Sequence, residues 1–327
     1  RRDKRGLKKT QHTEMRKILL ILITGLFIST NAYSDHNNFT KEIANKIVAN
    51  SDNSLKKRWK KVAAIKDSDW MYECDKEDFI KHVAIKEGCV GLLALNKIDK
   101  SKKNLIIFLE GDYRGKKPND VKKHYPMKKA IKEQDGKINF FYMARTGHKY
   151  SSRTRSTGKR TNSQMSGDWN AIYKKSWEAR RLTGAAIKKL KEHYQPDKLI
   201  VMGHSGGAGD TLMIAGKMPG LIDIAIASGC DCLSGWPNAE WNLWNGKPEE
   251  QPWESVSNQI EHIDPKTKII LLHSKNDEWC PFKNTEEYAR RAKEQGLDVT
   301  FHALGGSHNF DKLPGKVKIF KEIFSSL

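Results

Sequence analysis

The stretch from Lys198 to Ala208 constrains the fold of this chain more than any other. Four apolar residues, 199–202, precede the sequence Gly-His-Ser-Gly-Gly at 203–207, and a helix-compatible run then continues to Met218. This order predicts a buried strand, a tight turn and a helix. Glycines at 203 and 207 leave room for the strand and the helix to pass close together, and such a turn holds its serine in a strained conformation with the hydroxyl exposed. Ser205 is therefore a candidate nucleophile.

Strand-like and helix-like segments alternate on both sides of this turn. The predicted strands are 105–109, 138–143, 199–202, 221–227, 268–272 and 299–304, with short apolar runs at 79–84 and 90–95. The predicted helices are 170–194, 208–218, 285–295 and 316–324, with a peripheral helix inside 39–65. This alternation predicts an α/β fold with a mostly parallel central sheet and helices on both faces.

The first 34 residues are expected to lie outside that fold. Met15-Arg-Lys17 precedes an apolar run from 18 to 28, and Ala32-Tyr-Ser34 supplies a small-residue cleavage site. This pattern is typical of a secretory signal peptide, and we expect cleavage before Asp35. Residues 1–14 resemble an upstream extension of the reading frame. The expected location is periplasmic or secreted, with no stable transmembrane segment after cleavage; an uncleaved anchor is the alternative, although the apolar run is short for a bilayer span.

The rest of the chain is expected to form a peripheral N-terminal segment, 35–84, and one domain, 85–327. An insertion at 229–264 separates two predicted strands and contains four tryptophans at 236, 241, 244 and 253. The sequence allows two interpretations of this insertion: a lid over a site, in which Trp236 contacts substrate, or a small element that packs onto the domain.

The chain is strongly basic. Residues 1–34 carry eight Lys/Arg and two Asp/Glu, so the formal net charge falls from +20 to +14 without them. Such charge attracts anionic lipids, envelope surfaces or substrates, but it is equally typical of a solvated lysine-rich surface. No nucleic-acid-binding motif accompanies it, and we expect no nucleic-acid partner. The sequence leaves the oligomeric state open.

Five cysteines fit an oxidising compartment in which disulfides form. We expect Cys74 to pair with Cys89, and Cys280 to pair with Cys230 or Cys232 if the strands before them are neighbours, which leaves one thiol over. Cys230-Asp-Cys232 has neither the spacing nor the histidines of a zinc site. We therefore expect neither a metal nor a cofactor.

The order of the motifs resembles that of the α/β-hydrolases over residues 85–327. The segment Gly203-His-Ser-Gly-Gly207 is similar to the nucleophile elbow of that family. Asp277, in the loop after strand 268–272, matches the family's acid, and His308, after the last strand, matches its histidine. The chain order Ser, Asp, His is also that of the family. The resemblance implies a catalytic triad of Ser205, Asp277 and His308.

The same three residue types fit one reaction on chemical grounds. A serine hydroxyl is a poor nucleophile at neutral pH, so an imidazole must take its proton and later give it to the leaving group. A carboxylate fixes the tautomer of that imidazole and stabilises its protonated form. Other residues compete for the roles of His308 and Asp277. His204 lies inside the elbow, and His273 and His302 lie in or at the ends of strands, where packed or surface groups are expected. Asp231 and Glu278 are the competing acids.

The remaining site residues are predicted by position. The N–H of Gly206 is the first expected donor to an oxyanion. The resemblance implies a second donor after strand 105–109, where Glu110-Gly111 stands in place of His-Gly; this donor is Asp112, with Tyr113 as the fallback. Candidate substrate contacts are Tyr113, Arg145, Trp236 and Trp279. Arg145 follows a strand beside the site, so it either binds an anionic group or carries solvated charge.

These residues predict a secreted serine hydrolase that forms an acyl-enzyme. The expected substrate is a small molecule or an acyl ester, with an anionic group if Arg145 binds one. A peptidase or amidase of the same fold is the alternative, because acyl transfer is common to both reactions. A non-catalytic binding protein on a hydrolase fold is the third hypothesis.

Overall fold

A computed structural model of the chain describes residues 69–70, 74, 78–86, 88–111, 136–148, 154, 156–159, 177–230, 232–233, 256–308 and 314–327. The predicted signal peptide, the helix predicted inside 39–65 and the four tryptophans of the insertion lie outside these residues. None of the described helices is long and apolar enough to cross a membrane.

A mixed eight-stranded sheet forms the centre of the domain, in the order β10-β9-β8-β7-β4-β5-β3-β2. The described strands are β1 (Asp69–Trp70), β2 (His82–Ile85), β3 (Gly88–Ala94), β4 (Asn104–Leu109), β5 (Ile138–Met143), β6 (Gly158–Lys159), β7 (Lys198–His204), β8 (Ile224–Ser228), β9 (Lys268–Ser274) and β10 (Val299–Leu304). The six strands from β10 to β5 are all parallel, whereas β3 and β2 join antiparallel at the other edge. Strands β1 and β6 form a separate antiparallel pair.

Helices cover both faces of this sheet. They are α1 (Trp177–Tyr194), α2 (Gly206–Lys217), α3 (Phe282–Glu294) and α4 (Lys316–Ser325), with a 3₁₀ helix at Val256–His262. Residues of α1, α2 and α3 pack on one face, and those of α4 on the other. Strand β4 serves both cores, because Leu105, Ile107 and Leu109 face the first and Ile106 and Phe108 face the second. The predicted α/β fold with a mostly parallel sheet and helices on both faces is confirmed.

The topology brings three predicted site residues to one edge. Parallel strands end at the same edge of a sheet, and ligand sites in open α/β sheets form there. Ser205 directly follows β7, Asp277 follows β9 and His308 follows β10. Strand β8 lies between β7 and β9, so its end lies among the three side chains.

The disulfides confirm one expected pairing and correct another. Cys74 and Cys89 are joined, as predicted. Cys230 pairs with Cys232 and not with Cys280, although β8 and β9 are neighbours. The reason is local: the chain turns after β8 and brings the Cα atoms of Cys230 and Cys232 to 5.1 Å, within the range of a disulfide. Cys280 remains a buried thiol.

Candidate active site

The turn between β7 and α2 has the strained geometry predicted for a nucleophile. Ser205 has φ 52° and ψ −118°, a conformation that costs about 1–3 kcal/mol for a residue other than glycine. The close approach of strand and helix also holds, because a Cβ on Gly203 would lie 2.1 Å from the carbonyl oxygen of Gly207. Ser205 N–H donates to the carbonyl of Ser228 at 2.8 Å, which ties the turn to the end of β8. The backbone therefore fixes the position from which the Ser205 hydroxyl projects.

The three residues predicted as a triad are in hydrogen-bond contact. Ser205 Oγ lies 2.9 Å from Nε2 of His308. The other ring nitrogen of His308, Nδ1, lies 2.8 Å from Oδ2 and 3.0 Å from Oδ1 of Asp277. The hydroxyl, the imidazole and the carboxylate thus form one continuous line of hydrogen bonds, although Ser205 and His308 are 103 positions apart in the chain.

Asp277 is held as a carboxylate by the donors around it. Its side chain is only 1% exposed. That burial by itself would raise the pKa of Asp277, but hydrogen bonds from His273 and His308, the nearby His308 ring and the N–H of Cys280 together bring the pKa well below its ordinary value. The N–H groups of Trp279 and Cys280 donate to Oδ1 at 2.8 and 2.7 Å. The acid is therefore ionised and fixed in orientation.

The competing histidines and acids occupy other positions. The His204 ring lies 5.0 Å from the His308 ring, centre to centre, inside the turn. His302 lies within β10, before the strand ends. Glu278 accepts the backbone N–H of His308 at 3.1 Å rather than contacting its ring. Asp231 lies outside the described residues. Of the described candidates, only His308 and Asp277 complete the line to Ser205.

The loop after β4 reaches the nucleophile, as expected for the oxyanion site. A Cβ on Gly111 would lie 2.9 Å from the Cβ of Ser205. The N–H of Gly111 donates to Oε1 of Glu110, whose Oε2 accepts the Tyr142 hydroxyl at 2.8 Å. Gly206 opens α2, where backbone N–H groups have no carbonyl four residues earlier within the helix. Asp112 and Tyr113 lie outside the described residues, so the assignment of the donors stays a prediction.

Arg145 lies in a buried ion network. Its side chain is 3% exposed, and Nη1 lies 2.9 Å from Oδ2 of Asp210 in α2. Arg180 of α1 contacts the other oxygen of the same carboxylate at 2.7 Å, and His148 Nε2 lies 3.0 Å from Arg145 Nη2. The charge of Arg145 is engaged within the fold, and its binding of an anionic substrate group stays a prediction. Nothing in the sequence pattern distinguished Asp210 or Arg180 as its partners.

Trp279 is the described member of the predicted aromatic contacts. It follows the acid by two residues, and its side chain is 44% exposed. The role of Trp279 in substrate contact stays a prediction. Trp236 lies outside the described residues.

Two groups of described residues have possible metal-ligand atoms within 4.8 Å of one another. In the group Cys74, His82 and Cys89, the two sulfurs are joined in a disulfide. In the group Asp277, Cys280 and His308, the carboxylate and the imidazole are hydrogen-bonded to each other. The second arrangement suits a carboxylate that orients the imidazole and stabilises its protonated form.

Sequence reasoning missed one contact at the centre of the site. His273, the sixth residue of β9, is fully buried and its Nε2 lies 3.2 Å from Oδ2 of Asp277. The sequence predicts a packed or surface group at this position, and the structure shows a packed one that also contacts the acid. The only available signal was the spacing of four residues between a strand-end histidine and the predicted acid, and that spacing does not by itself fix where a loop turns.

A known protein family matches the part of the chain that contains the three triad residues. Residues 160–317, which include Ser205, Asp277 and His308, match the family model of the prolyl oligopeptidase family. A search of curated proteins gives no significant match.

Three solved structures illustrate the similarity of fold. Est1E from Butyrivibrio proteoclasticus with bound ferulic acid is 11% identical, with a TM-score of 0.50 over 75% of this chain and 96% of that protein. A predicted CIB-like hydrolase from Thermoplasma acidophilum is 15% identical, with a TM-score of 0.51 over 76% and 97%. Pyrococcus horikoshii acylaminoacyl peptidase is 14% identical, with a TM-score of 0.50 over 84% of this chain but 43% of the peptidase.

Proposed function

We propose that this chain is a serine hydrolase of the α/β-hydrolase superfamily that cleaves carboxylic esters through an acyl-enzyme intermediate; the family match and the similar folds support this. The observation that carries the proposal is the contact of Ser205 Oγ with His308 Nε2 at 2.9 Å, continued from His308 Nδ1 to Asp277 at 2.8 Å. Each group stands where the reaction needs it, with the base beside the nucleophile and the carboxylate beside the base.

The ionised state of Asp277 determines the tautomer of His308. A carboxylate only accepts hydrogen bonds, so the Nδ1 that faces it carries the hydrogen. In the neutral ring, Nε2 then presents a lone pair to the Ser205 hydroxyl. This is the tautomer that can act as a general base towards Ser205.

The proposed reaction follows from this arrangement. Ser205 Oγ attacks the ester carbonyl carbon while its proton passes to Nε2 of His308. The protonated ring returns that proton to the alcohol as the ester C–O bond breaks, which leaves an acyl-serine. Water then attacks the acyl group with His308 again as the base, and the acid product and Ser205 are released.

The oxyanion formed at each attack needs donors close to Ser205. We assign the N–H of Gly206 and that of Asp112, with Tyr113 as the alternative to Asp112. The approach of Gly111 to Ser205 supports a donor from this loop. Loss of one such donor lowers kcat by about 10²–10³ in a comparable enzyme.

Peptide or amide cleavage is the second candidate function. The match of residues 160–317 to the prolyl oligopeptidase family favours it. We place esters first because an alcohol is a better leaving group than an amine, so a triad that cleaves an amide also cleaves the corresponding ester. The insertion at 229–264 and Arg145 are the candidates for selecting the substrate.

Active-site labelling tests the catalytic role of Ser205. A fluorophosphonate probe should label the wild type and fail to label Ser205→Ala. The control is Ser325→Ala, which changes an exposed serine at the end of α4 and should label like the wild type. A folded wild type that resists the probe would contradict the proposal.

A substrate panel separates the two candidate functions. The p-nitrophenyl esters of acids of increasing chain length are compared with aminoacyl p-nitroanilides of matched acyl groups. An esterase turns over the esters and leaves the anilides nearly intact, whereas a peptidase cleaves both. Turnover of the anilides at a kcat/KM close to that of the esters would favour the peptidase.

We further propose that the protein is exported to the periplasm or secreted. The basic and apolar leader supports this location, and so do the disulfides Cys74–Cys89 and Cys230–Cys232, since such bonds persist in oxidising compartments. N-terminal sequencing of the protein recovered from the periplasm or the medium should begin at Asp35. Recovery of a cytosolic chain with residues 1–34 intact would contradict both parts of the proposal.

A further inference from the structure

His273 is enclosed by hydrogen-bonding groups on both sides of its ring. It is fully buried, and the ring of Phe282 packs edge-on against it at 5.8 Å. Its Nδ1 lies 2.7 Å from the hydroxyl of Thr285. Its Nε2 lies 3.0 Å from the carbonyl of Cys280 and 3.2 Å from Oδ2 of Asp277. Both nitrogens are therefore in contact with defined partners.

The partners determine where the hydrogen of this ring lies. A backbone carbonyl and an ionised carboxylate are both acceptors only, so Nε2 of His273 must be a donor. The Thr285 hydroxyl lies 2.9 Å from the carbonyl of Cys230 as well as close to Nδ1, and it can donate to either. Nε2 carries a hydrogen in both cases. His273 therefore presents this hydrogen to the Cys280 carbonyl and to Oδ2 of Asp277 together, whichever way Thr285 points.

We propose that His273 is a positioning residue for the triad, which holds Oδ2 of Asp277 in line with His308 through its Nε2–H; this inference rests on the proposed hydrolase function. Oδ2 accepts from His308 at 2.8 Å and lies 3.2 Å from Nε2 of His273, whose hydrogen it shares with the Cys280 carbonyl at 3.0 Å. Oδ1 accepts the backbone N–H groups that follow it in the loop. The backbone donors of the loop thus hold Oδ1, whereas His273 is the contact of Oδ2 outside the triad.

The donated hydrogen also limits the negative charge that Asp277 presents to His308. Without it, more charge on Oδ2 favours the protonated form of His308, and protonated His308 cannot take the Ser205 proton. The acid limb of the kcat/KM profile then moves to higher pH. The other polar groups that face His308 are unchanged by a substitution at 273: Glu278 at its backbone N–H, the His204 ring, and the Cys280 sulfur.

Two amide substitutions separate the donor from the mere presence of a polar side chain. The nitrogen of glutamine reaches about the position of Nε2, whereas that of asparagine reaches only about the position of Nδ1. His273→Gln therefore keeps a donor for Asp277, and His273→Asn keeps one for Thr285 alone. We expect His273→Asn to lower kcat/KM about 10- to 100-fold, as for the loss of a hydrogen bond to a charged group. We expect the kcat/KM of His273→Gln to stay within about threefold of the wild-type value, because its amide nitrogen still donates to Asp277.

The test measures kcat, KM and the pH profile for both variants on the best ester substrate. The expected pattern is a fall in kcat with little change in KM and an acid limb at higher pH for His273→Asn, with both restored in His273→Gln. Leu271→Ala is the control for destabilisation, because it removes a fully buried side chain two residues earlier on β9 and should leave the acid limb unmoved. An unshifted profile in His273→Asn, or equal impairment of both variants, would overturn the inference. A wild type without esterase or amidase activity would instead refute the proposed function.

Discussion

Asp277→Asn is the sharpest single test of the triad, because the replacement has nearly the same shape. The carboxylate accepts from four donors: His308, His273 and the backbone N–H groups of Trp279 and Cys280. The two backbone donors hold the Oδ1 position, so the amide oxygen of asparagine is expected to remain there. The NH₂ group then occupies the Oδ2 position and faces both imidazoles.

An NH₂ group at that position reverses the tautomer of His308. It can donate but cannot accept, so Nδ1 of His308 must present its lone pair and Nε2 must carry the hydrogen. A ring with hydrogen on Nε2 cannot take the proton of Ser205. The same exchange in the serine protease triad lowers kcat about 10⁴-fold, which corresponds to about 5 kcal/mol of lost transition-state stabilisation. We expect a similar loss here, with KM changed little.

The assay is steady-state hydrolysis of the best p-nitrophenyl ester, with near-ultraviolet circular dichroism to verify folding. Asp78→Asn is the matched control, since Asp78 also accepts N–H groups two and three residues later, at 2.9 and 3.4 Å, away from the triad. That variant should keep wild-type kcat. A folded Asp277→Asn protein with kcat within tenfold of the wild type would refute the assignment of the acid.

Three further outcomes follow from the structure. Gly229→Ala should fold with a free energy of unfolding lower by about 1–2 kcal/mol, because φ is +58° at this position. This variant should keep most of its activity, whereas Gly229→Val should lose activity. Replacing Cys74 and Cys89 together by alanine removes a cross-link over 15 residues, and urea denaturation should show a loss of about 3 kcal/mol. Finally, the lowered pKa of Asp277 means that its ionised form stabilises the fold above the ordinary value of 3.8. The difference in unfolding free energy between wild type and Asp277→Asn should therefore be constant at neutral pH and shrink as the pH falls below that value.

The sequence was sufficient to predict the sheet because its signals are local. Continuous apolar runs identified β4, β5, β7 and β9, and each run is buried on both faces, as strands covered by helices must be. The elbow could be predicted because the spacing of Gly203 and Gly207 reflects a direct clash that any Cβ would cause. These features depend on neighbours within about ten residues in the chain.

The contacts that depend on the path of a turn or on the packing of helices could not be predicted in the same way. The pairing of Cys230 with Cys232 depends on how the chain turns after β8, and the buried network of Arg145, Asp210 and Arg180 depends on how α1 and α2 pack. The role of His273 depends on the loop after β9, which brings Asp277 back to the end of that strand. Each requires the distance between side chains, which the order of residues alone does not contain.

Gly229 explains how four adjacent strands can place three reacting groups without obstruction. Ser205 and Asp277 follow β7 and β9, so the strand between them must end without a side chain in the gap. A Cβ on Gly229 would lie 3.4 Å from Oδ2 of Asp277 and equally far from Cε1 of His204 and of His308. One methyl group therefore just fits, and any atom beyond it must displace the acid or the base. Displacements of about 1 Å at a reacting centre can lower rates about 100-fold, so alanine and valine at this position are expected to differ far more in activity than in stability.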